Sequence, residues 1–173
     1  MKKSSALETD RLFLLPTSEE DASFIMELVN TPKWLKYIGD RNIKSIEDAR
    51  NYIREKMLPQ EERLGFGNFT VVRKTDQQRL GTCGLYDREG LEGFDIGFAF
   101  LPEFEGRGYA FEAADELLKV ALSKFALKEI SAITTKENVA SQKLLEKLGL
   151  IFIKMTTIPN DSEELMLYKI KNA

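Results

Sequence analysis

The 173-residue chain contains no histidine and a single cysteine, Cys83. The lack of histidine excludes a Ser-His-Asp or Cys-His catalytic site and any histidine-based metal site. A proton-transfer step must therefore use a carboxylate, tyrosine, lysine, serine, cysteine, backbone group or water. One cysteine excludes an intramolecular disulfide. Without a histidine base, Cys83 is expected to be inert rather than a nucleophile.

Long apolar runs and an excess of basic charge are also missing. No stretch approaches the length of a membrane span, and no apolar run follows Lys2 and Lys3, so we expect a cytoplasmic protein with no membrane partner. The formal net charge of -3 lacks the basic footprint of a nucleic-acid binder, so we expect no nucleic-acid partner. Hydrophobic residues make up 43% of the chain, which suffices for the core of one domain.

The hydrophobic pattern predicts an α/β (α+β) chain in the order β-α-α-β-β-β-α-β-α-β-β. Helices are predicted over 21–29, 45–57, 109–125 and 138–148, the first opened by a capping box of Thr17 and Glu20. Strands are predicted over 12–15, 69–73, 80–86, 94–101, 129–134, 151–158 and 164–170. The segment 30–44 is expected to be irregular. The unit from 94 to 134 predicts a parallel pair of strands in the middle of a mixed sheet.

A glycine-containing turn joins a predicted strand to a predicted helix, in the sequence LPEFEGRGYAF over 101–111. Gly106 and Gly108 allow a tight turn, and a helix N-terminus leaves backbone N–H groups unpaired with a partial positive charge. This pattern is typical of a phosphate cradle, with Arg107 adding charge at its rim, although two glycines also occur in ordinary tight turns. No Lys-Ser/Thr follows Gly108, so the turn is not a P-loop. Phe111 stands where a Rossmann fingerprint needs its third glycine.

The turn resembles the acyl-CoA motif of the GNAT acetyltransferases, Gln/Arg-x-x-Gly-x-Gly/Ala, with Glu105 in place of the usual first residue. Four spaced motifs resemble the RimJ/RimL-like branch, the ribosomal-protein N-terminal acetyltransferases: EGRGYAFEA at 105–113, FDIGF at 94–98, ENVAS at 137–141 followed by EKLGL at 146–150, and ETDRL at 8–12. The resemblance spans residues 8–170 and implies a single GNAT domain. It also implies a mostly antiparallel mixed sheet with a splayed parallel pair and about four helices.

The resemblance implies acetyl-CoA as co-substrate and no metal. Pantetheine is expected along the backbone of Phe98, Ala99 and Phe100. The pyrophosphate is expected at backbone N–H groups of Gly106, Arg107, Gly108, Tyr109, Ala110 and Phe111. Asn138, at the start of the last helix, is expected to touch the cofactor, and it also suits a plain N-cap.

The resemblance also implies direct attack of a bound amine on the thioester, without an enzyme nucleophile. Many relatives use a tyrosine as general acid where this chain has Leu145, which leaves Ser141 or water to protonate the thiolate. A buried serine bonded to the preceding turn is the alternative for Ser141. Asp95 stands where relatives often have Glu and is the candidate base. The alternative for Asp95 is a solvated or paired acid.

Trp34, Tyr37 and Tyr86 are candidates to line the acceptor groove, although each aromatic residue also suits the core. The branch implies a protein N-terminal α-amine as acceptor, whose reference pKa of about 8 leaves it partly neutral in the cell. A small-molecule amine acetyltransferase, acting on a polyamine, an amino acid or an antibiotic, is an alternative. A catalytically weak acyl-CoA-binding sensor is another. We expect a monomer or a homodimer.

Overall fold

A computed structural model describes residues 5–171, and its centre is one eight-stranded sheet. The strands are β1 (Leu7–Glu8), β2 (Leu12–Pro16), β3 (Asn68–Arg73), β4 (Arg79–Tyr86), β5 (Phe94–Phe100), β6 (Glu129–Thr134), β7 (Ile151–Thr156) and β8 (Leu165–Lys171). Their order in the sheet is β1-β2-β3-β4-β5-β6-β8-β7. All neighbours are antiparallel except β5 and β6. The mixed sheet and its central parallel pair are confirmed.

Helices cover both faces of this sheet. They are α1 (Ala22–Val29), α2 (Pro32–Tyr37), α3 (Ile46–Tyr52), α4 (Leu58–Leu64), α5 (Tyr109–Ser123) and α6 (Val139–Lys147). A π-helical turn, Ile53–Met57, joins α3 to α4 into one bent helix. The described part of the chain therefore has five helices rather than about four. None of them is long and apolar enough to cross a membrane.

The segment predicted to be irregular contains α2, so that prediction was wrong. Thr31 caps this helix by accepting a hydrogen bond from the Trp34 N–H, and Pro32 is its first residue. Both are ordinary signals of a helix start. Six residues are too few to show an amphipathic period, and this is why the hydrophobic pattern did not reveal the helix.

The second predicted helix does not end near Met57 but continues to Leu64. Pro59 has no N–H, and its ring collides with the carbonyl four residues earlier in a regular α-helix. The π-turn before it widens the helix, with the Leu58 N–H bonded to the Ile53 carbonyl five residues back. The chain therefore bends here instead of stopping.

A 3-10 turn over Glu19–Asp21 precedes α1, and Ser18, not Thr17, is the N-cap of that turn. The Ser18 backbone N–H bonds to the Asp21 carboxylate at 3.0 Å, and α1 follows directly after Asp21. The Thr17 side chain is instead buried and lies 2.9 Å from the Thr70 hydroxyl of β3. The predicted box of Thr17 and Glu20 was therefore shifted by one position.

Two apolar clusters lie on opposite faces of the sheet. One packs α5 against the strands through residues such as Leu117, Val71 and Ile130. The other packs α1 and α3 together and reaches the sheet at Ala99 and Leu101. Because side chains alternate along β5, Ile96, Phe98 and Phe100 face α5, whereas Asp95, Gly97 and Ala99 face the helices α1 to α4.

Candidate active site

The parallel strands β5 and β6 pair over only two residues of β5, Phe94 and Asp95, and then diverge. On its other side β5 stays paired with β4 as far as Phe100. Among residues 5–171, the edge of β5 that faces β6 therefore has no strand partner beyond Asp95. Backbone groups of residues 98–100 at that edge can pair with an extended ligand. This is the place expected for pantetheine.

The glycine turn leaves the N-terminus of α5 open. Gly106 and Gly108 have φ angles of +74° and +81°, a region that favours glycine. Gly108 is the N-cap and supplies no side chain to the helix end. The first intrahelical bond runs from the Glu112 N–H to the Gly108 carbonyl at 3.0 Å. The N–H groups of 109–111 lack backbone acceptors within residues 5–171, which suits a phosphate.

Arg11 braces this turn from the side of β1 and β2. Its Nε donates to Glu112 Oε1 at 2.7 Å, and its Nη1 donates to the Arg107 carbonyl at 3.1 Å. Its guanidinium also lies 4.4 Å from the centre of the Tyr109 ring. Although burial acts to raise the pKa of Glu112, hydrogen bonds from Thr9 and Arg11 hold that pKa below its ordinary value. Glu112 therefore ties α5 to the N-terminal strands.

Glu105, the departure from the family motif, is paired with Lys33 of α2. A carboxylate close to phosphates is unfavourable unless a cation offsets its charge. Lys33 supplies that cation and draws the carboxylate towards the helical layer. The Arg107 side chain is exposed and makes no ion pair among residues 5–171, which leaves it available to an anion.

Asn138 caps α6, as its alternative interpretation expected. Its Oδ1 accepts the Ser141 N–H at 3.3 Å. The Ser141 hydroxyl is half-buried and makes no hydrogen bond within the described range, so it is not bonded back to the preceding turn. Leu145 is 1% exposed in the core beneath α5. The position that relatives give to a tyrosine acid is therefore a core position here.

Asp95 is buried and paired with Arg88, a residue of the β4–β5 loop. Arg88 Nε lies 3.1 Å from Oδ1, and Arg88 Nη2 lies 3.1 Å from Oδ2. The side chain of Asp95 is 2% exposed and that of Arg88 is 34% exposed. Burial raises the pKa of Asp95 above its ordinary value, and the charge and hydrogen bonds of Arg88 oppose that rise. A paired acid was the alternative weighed for Asp95.

Tyr86 lies flat on the sheet beside this pair. A Cβ atom at Gly97 would approach its Cε2 to 2.9 Å, and one at Gly84 would approach its hydroxyl to 2.7 Å. The two glycines therefore make room for the ring. Tyr52 of α3 is close enough to Tyr86 and Arg88 to influence the pKa of both. Burial raises the pKa of Tyr86, so it remains a neutral phenol.

A hydrogen-bond chain fixes the direction of the Tyr86 hydroxyl. Tyr86 donates to Asn68 Oδ1 at 2.5 Å, and Asn68 Nδ2 donates to the Thr17 hydroxyl at 2.8 Å. Thr17 contacts Thr70, which donates to the Asp21 carboxylate at 3.1 Å. A carboxylate only accepts, so each hydroxyl along the chain must donate towards Asp21. The proton of Tyr86 is thereby directed to Asn68.

The other predicted acceptor residues lie on α2. Trp34 packs on the cluster of α1 and α3, and its buried Nε1 has no hydrogen-bond partner in the described residues. Tyr37 is half-buried, with Lys36 Nζ 5.1 Å from its ring centre. Cys83 is buried, and burial raises the pKa of its thiol to about 12, which disfavours the reactive thiolate.

Sequence reasoning missed Arg88 and Tyr52. Arg88 falls in a loop, where a charged residue usually indicates only solvent exposure. Arg88 contacts Asp95 across the β4–β5 connection, and no local sequence pattern indicates that contact. Tyr52 follows Ala49 by one helical turn on the face that packs inward, and this spacing was the available signal.

Comparisons with known proteins bear on these features. Residues 11–151 match the family profile described as "Acetyltransferase (GNAT) domain". The chain is 29% identical to the N-acetyltransferase YoaA of Bacillus subtilis (strain 168), over 83% of this chain and 81% of that protein. A GNAT-family acetyltransferase from Bacillus anthracis has a solved structure with a TM-score of 0.80 at 25% identity, covering 97% of this chain and 99% of that one.

A second solved structure is that of RimL, the ribosomal L7/L12 α-N-protein acetyltransferase, in complex with coenzyme A. Its TM-score is 0.80 at 15% identity, and the likeness covers 96% of this chain and 98% of that one. At that identity the likeness concerns the fold alone.

Proposed function

Because the chain belongs to the GNAT acetyltransferase family and is an acetyl-CoA-dependent N-acetyltransferase, we propose that its acceptor is a protein N-terminal α-amine. This proposal places the chain in the RimJ/RimL-like branch, as one domain over residues 8–170. The resemblance of its four spaced motifs to that branch supports the assignment, and RimL shares the fold. The cytoplasmic location expected from the sequence stays a prediction.

One observation supports the proposed position of acetyl-CoA. The unpaired edge of β5 and the open N-terminus of α5 lie in sequence, one directly before and one directly after the glycine turn. In our proposal the pantetheine pairs with residues 98–100, and the pyrophosphate accepts hydrogen bonds from residues 106–111. Asn138 contacts the cofactor through the part of its amide that does not cap α6.

The proposed reaction is a direct transfer. The neutral amine attacks the thioester carbonyl carbon, the new C–N bond forms, and the C–S bond breaks. Asp95 accepts the proton that the amine loses, directly or through water. Ser141 or water gives a proton to the departing thiolate, and the proton held by Asp95 returns through solvent to restore that donor. Backbone N–H groups of β5 stabilise the negative charge that develops on the carbonyl oxygen.

An α-amine suits this site because it makes a modest demand on the base. Its reference pKa of about 8 leaves a useful neutral fraction at cell pH, whereas a lysine side chain has a reference pKa of about 10.4. Asp95 is a weak base compared with histidine, so an acceptor that is already partly neutral is favoured. Trp34, Tyr37 and Tyr86 are proposed to line the groove for that acceptor.

The acceptor is tested with labelled acetyl-CoA and three probes. They are a peptide with a free N-terminus, the same peptide with a blocked N-terminus and one internal lysine, and spermidine. We expect acetylation of the free N-terminus only. Acetylation of spermidine alone would instead assign a small-molecule acceptor. Tight binding of CoA without acetylation of any amine would indicate a sensor.

A further inference from the structure

Asp95 is an acid held inside the protein at the point where β5 and β6 separate. It is the last β5 residue that pairs with β6, opposite Ser131. Its side chain is 2% exposed. A carboxylate deprived of water takes up a proton unless a cation or strong hydrogen bonds hold it ionised. As a base, Asp95 must be ionised before the amine arrives, so some group has to keep it so.

The groups that face Asp95 come from three elements. Arg88 of the β4–β5 loop makes hydrogen bonds to both carboxylate oxygens. Tyr86 of β4 is neutral and lies at the opposed position of the strand pair. Ser131 of β6 carries no charge, and Tyr52 of α3 acts on Arg88 and Tyr86 rather than on Asp95. Arg88 is thus the cation that faces this carboxylate among residues 5–171.

The geometry of Arg88 is that of a fixed partner. Two of its nitrogens engage Asp95 while its guanidinium lies 5.6 Å from the centre of the Tyr86 ring. The paired arrangement and the ring beneath it restrict the side chain to one orientation. One-third of the Arg88 side chain reaches solvent, so the acceptor can approach past it.

We propose that Arg88 is a positioning residue that keeps Asp95 ionised and oriented at the divergence of β5 and β6, ready to accept the amine proton. This inference rests on the proposed role of Asp95 as the base. Arg88 does not take part in proton transfer itself, because an arginine stays protonated in proteins. It sets the pH range over which Asp95 can act.

Removing Arg88 changes that pH range in a defined direction. Burial already raises the pKa of Asp95, and Arg88 opposes the rise, so the Arg88→Met variant should raise the pKa further. Below the pKa of a base, its ionised fraction falls about tenfold for each pH unit. We expect kcat/KM at about pH 7 to fall at least tenfold and to recover towards the wild-type value as the pH rises to about 9.

The experiment combines pH–rate profiles with a direct titration of Asp95. The acid limb of kcat/KM for the free N-terminal peptide is measured in wild type and in the Arg88→Met and Arg88→Lys variants. Carbon NMR of protein labelled at aspartate carboxyls follows the same group without turnover, with the signal assigned from Asp95→Asn. We expect both midpoints to move to higher pH in Arg88→Met and to move less in Arg88→Lys.

Arg63→Met is the matched control. Arg63 forms an exposed ion pair with Asp87 at 2.9 Å, close to the same loop, and does not contact Asp95. We expect its profile and its Asp95 titration to match wild type. Identical Asp95 midpoints in wild type and Arg88→Met would overturn the inference, as would an equal displacement in Arg63→Met.

Failure of the proposed base gives a different result. If Asp95→Asn keeps wild-type kcat, the assignment of Asp95 as base is wrong. The NMR titration then still decides whether Arg88 holds the buried carboxylate ionised.

Discussion

At the scale of single residues, the proposed site depends on the carboxylate of Asp95. Burial and a neighbouring cation have opposite effects on the pKa of that carboxylate. Burial raises the pKa of Asp95, and the charge and hydrogen bonds of Arg88 oppose that rise. In our proposal this opposition keeps Asp95 available as a base. No histidine is present to share this task. The proton chemistry therefore depends on how a small number of polar side chains are placed.

The Asp95→Asn substitution should reduce kcat about 100-fold at neutral pH, the typical contribution of a positioned base. The KM for acetyl-CoA should change little, because Asp95 lies on the face opposite α5. Steady-state kinetics with the free N-terminal peptide measures both. Asp87→Asn, at an exposed ion pair nearby, serves as the control and should retain wild-type kcat. Wild-type kcat in Asp95→Asn would show that the base is another group or water.

The stability of Arg88→Met should depend on pH in the opposite direction to its activity. A carboxylate whose folded pKa is raised above its unfolded value contributes most stability when protonated, and that contribution is lost as pH rises through the folded pKa. We expect a loss of about 2 kcal/mol near neutral pH, less than for a fully buried pair because Arg88 is partly exposed. The loss should be smaller at about pH 5, where Asp95 is closer to protonation.

Urea unfolding of wild type and variant at both pH values measures this difference. A loss that is constant with pH would mean that Arg88 contributes packing only and not charge.

At the scale of elements, the glycine turn and the start of α5 form the unit that we propose receives the phosphates. Gly106 has a positive φ, and a Cβ atom there would meet nothing within 4 Å. The space above it is thus open at the surface of the protein. The brace of Arg11 and Glu112 holds the turn against the N-terminal strands, so the open N–H groups are fixed before a ligand arrives.

Gly106→Ala should weaken CoA binding about tenfold, the equivalent of one hydrogen bond to a charged group at roughly 1.5 kcal/mol. The added methyl group occupies the space through which the phosphate approaches the backbone. Gly93→Ala is a close control, because Gly93 has a φ of +73° and a Cβ atom there would also meet nothing within 4 Å.

Both variants should lose about 1 kcal/mol of stability from backbone strain. Calorimetric titration with CoA separates them, since only Gly106→Ala should lose affinity. Equal affinities in the two variants would place the pyrophosphate elsewhere.

Most elements with a strong period could be predicted from the sequence, and the exceptions have physical reasons. The 15 residues of α5 show an apolar stripe, and the strands β4 to β6 are bounded by turns. The helix α2 is too short for a period, and Pro59 suggests a helix end that the π-turn avoids. The divergence of β5 from β6 could be predicted only from the family resemblance, since nothing in either strand alone indicates where their pairing stops.

The candidate site could be predicted only in part. The glycine turn and the N-cap of α6 each involve residues that are close together in the sequence, so both could be predicted from it. The pairing of Asp95 with Arg88 and the chain from Tyr86 to Asp21 join residues from separate elements. Such contacts depend on the register of the sheet, which a single sequence does not specify.

At the scale of the whole molecule, the sheet separates two chemical environments. The face towards α5 is apolar, apart from the open helix N-terminus at its edge. The face towards α1 to α4 carries Asp95, Tyr86 and the buried polar chain beside an apolar cluster. The gap between β5 and β6 connects the two faces. In our proposal, acetyl-CoA lies on one side of that gap and the amine on the other.

A groove of about 890 Å³ lies between the β1–β2 turn and the outer face of α5, and one end of it reaches the glycine turn at Gly108 and Phe111. Its lining contains five carboxylates and three cationic side chains, a balance that disfavours phosphates: Glu8, Asp10, Arg11, Lys74, Glu112, Asp115, Glu116 and Lys119. The part of this groove that lies away from the glycine turn, around Glu8, Asp115 and Lys119, therefore provides an alternative location against which the proposed cofactor site can be tested.

The most direct test of this account is amide NMR of the protein during titration with CoA. We predict that the largest chemical-shift changes fall on the backbone amides of residues 98–100 and 106–111, with a further change at Asn138. The amides around Asp115 and Lys119 should change little. Shift changes confined to residues 8–11 and 115–119, with residues 98–100 and 106–111 unaffected, would contradict the proposed cofactor site.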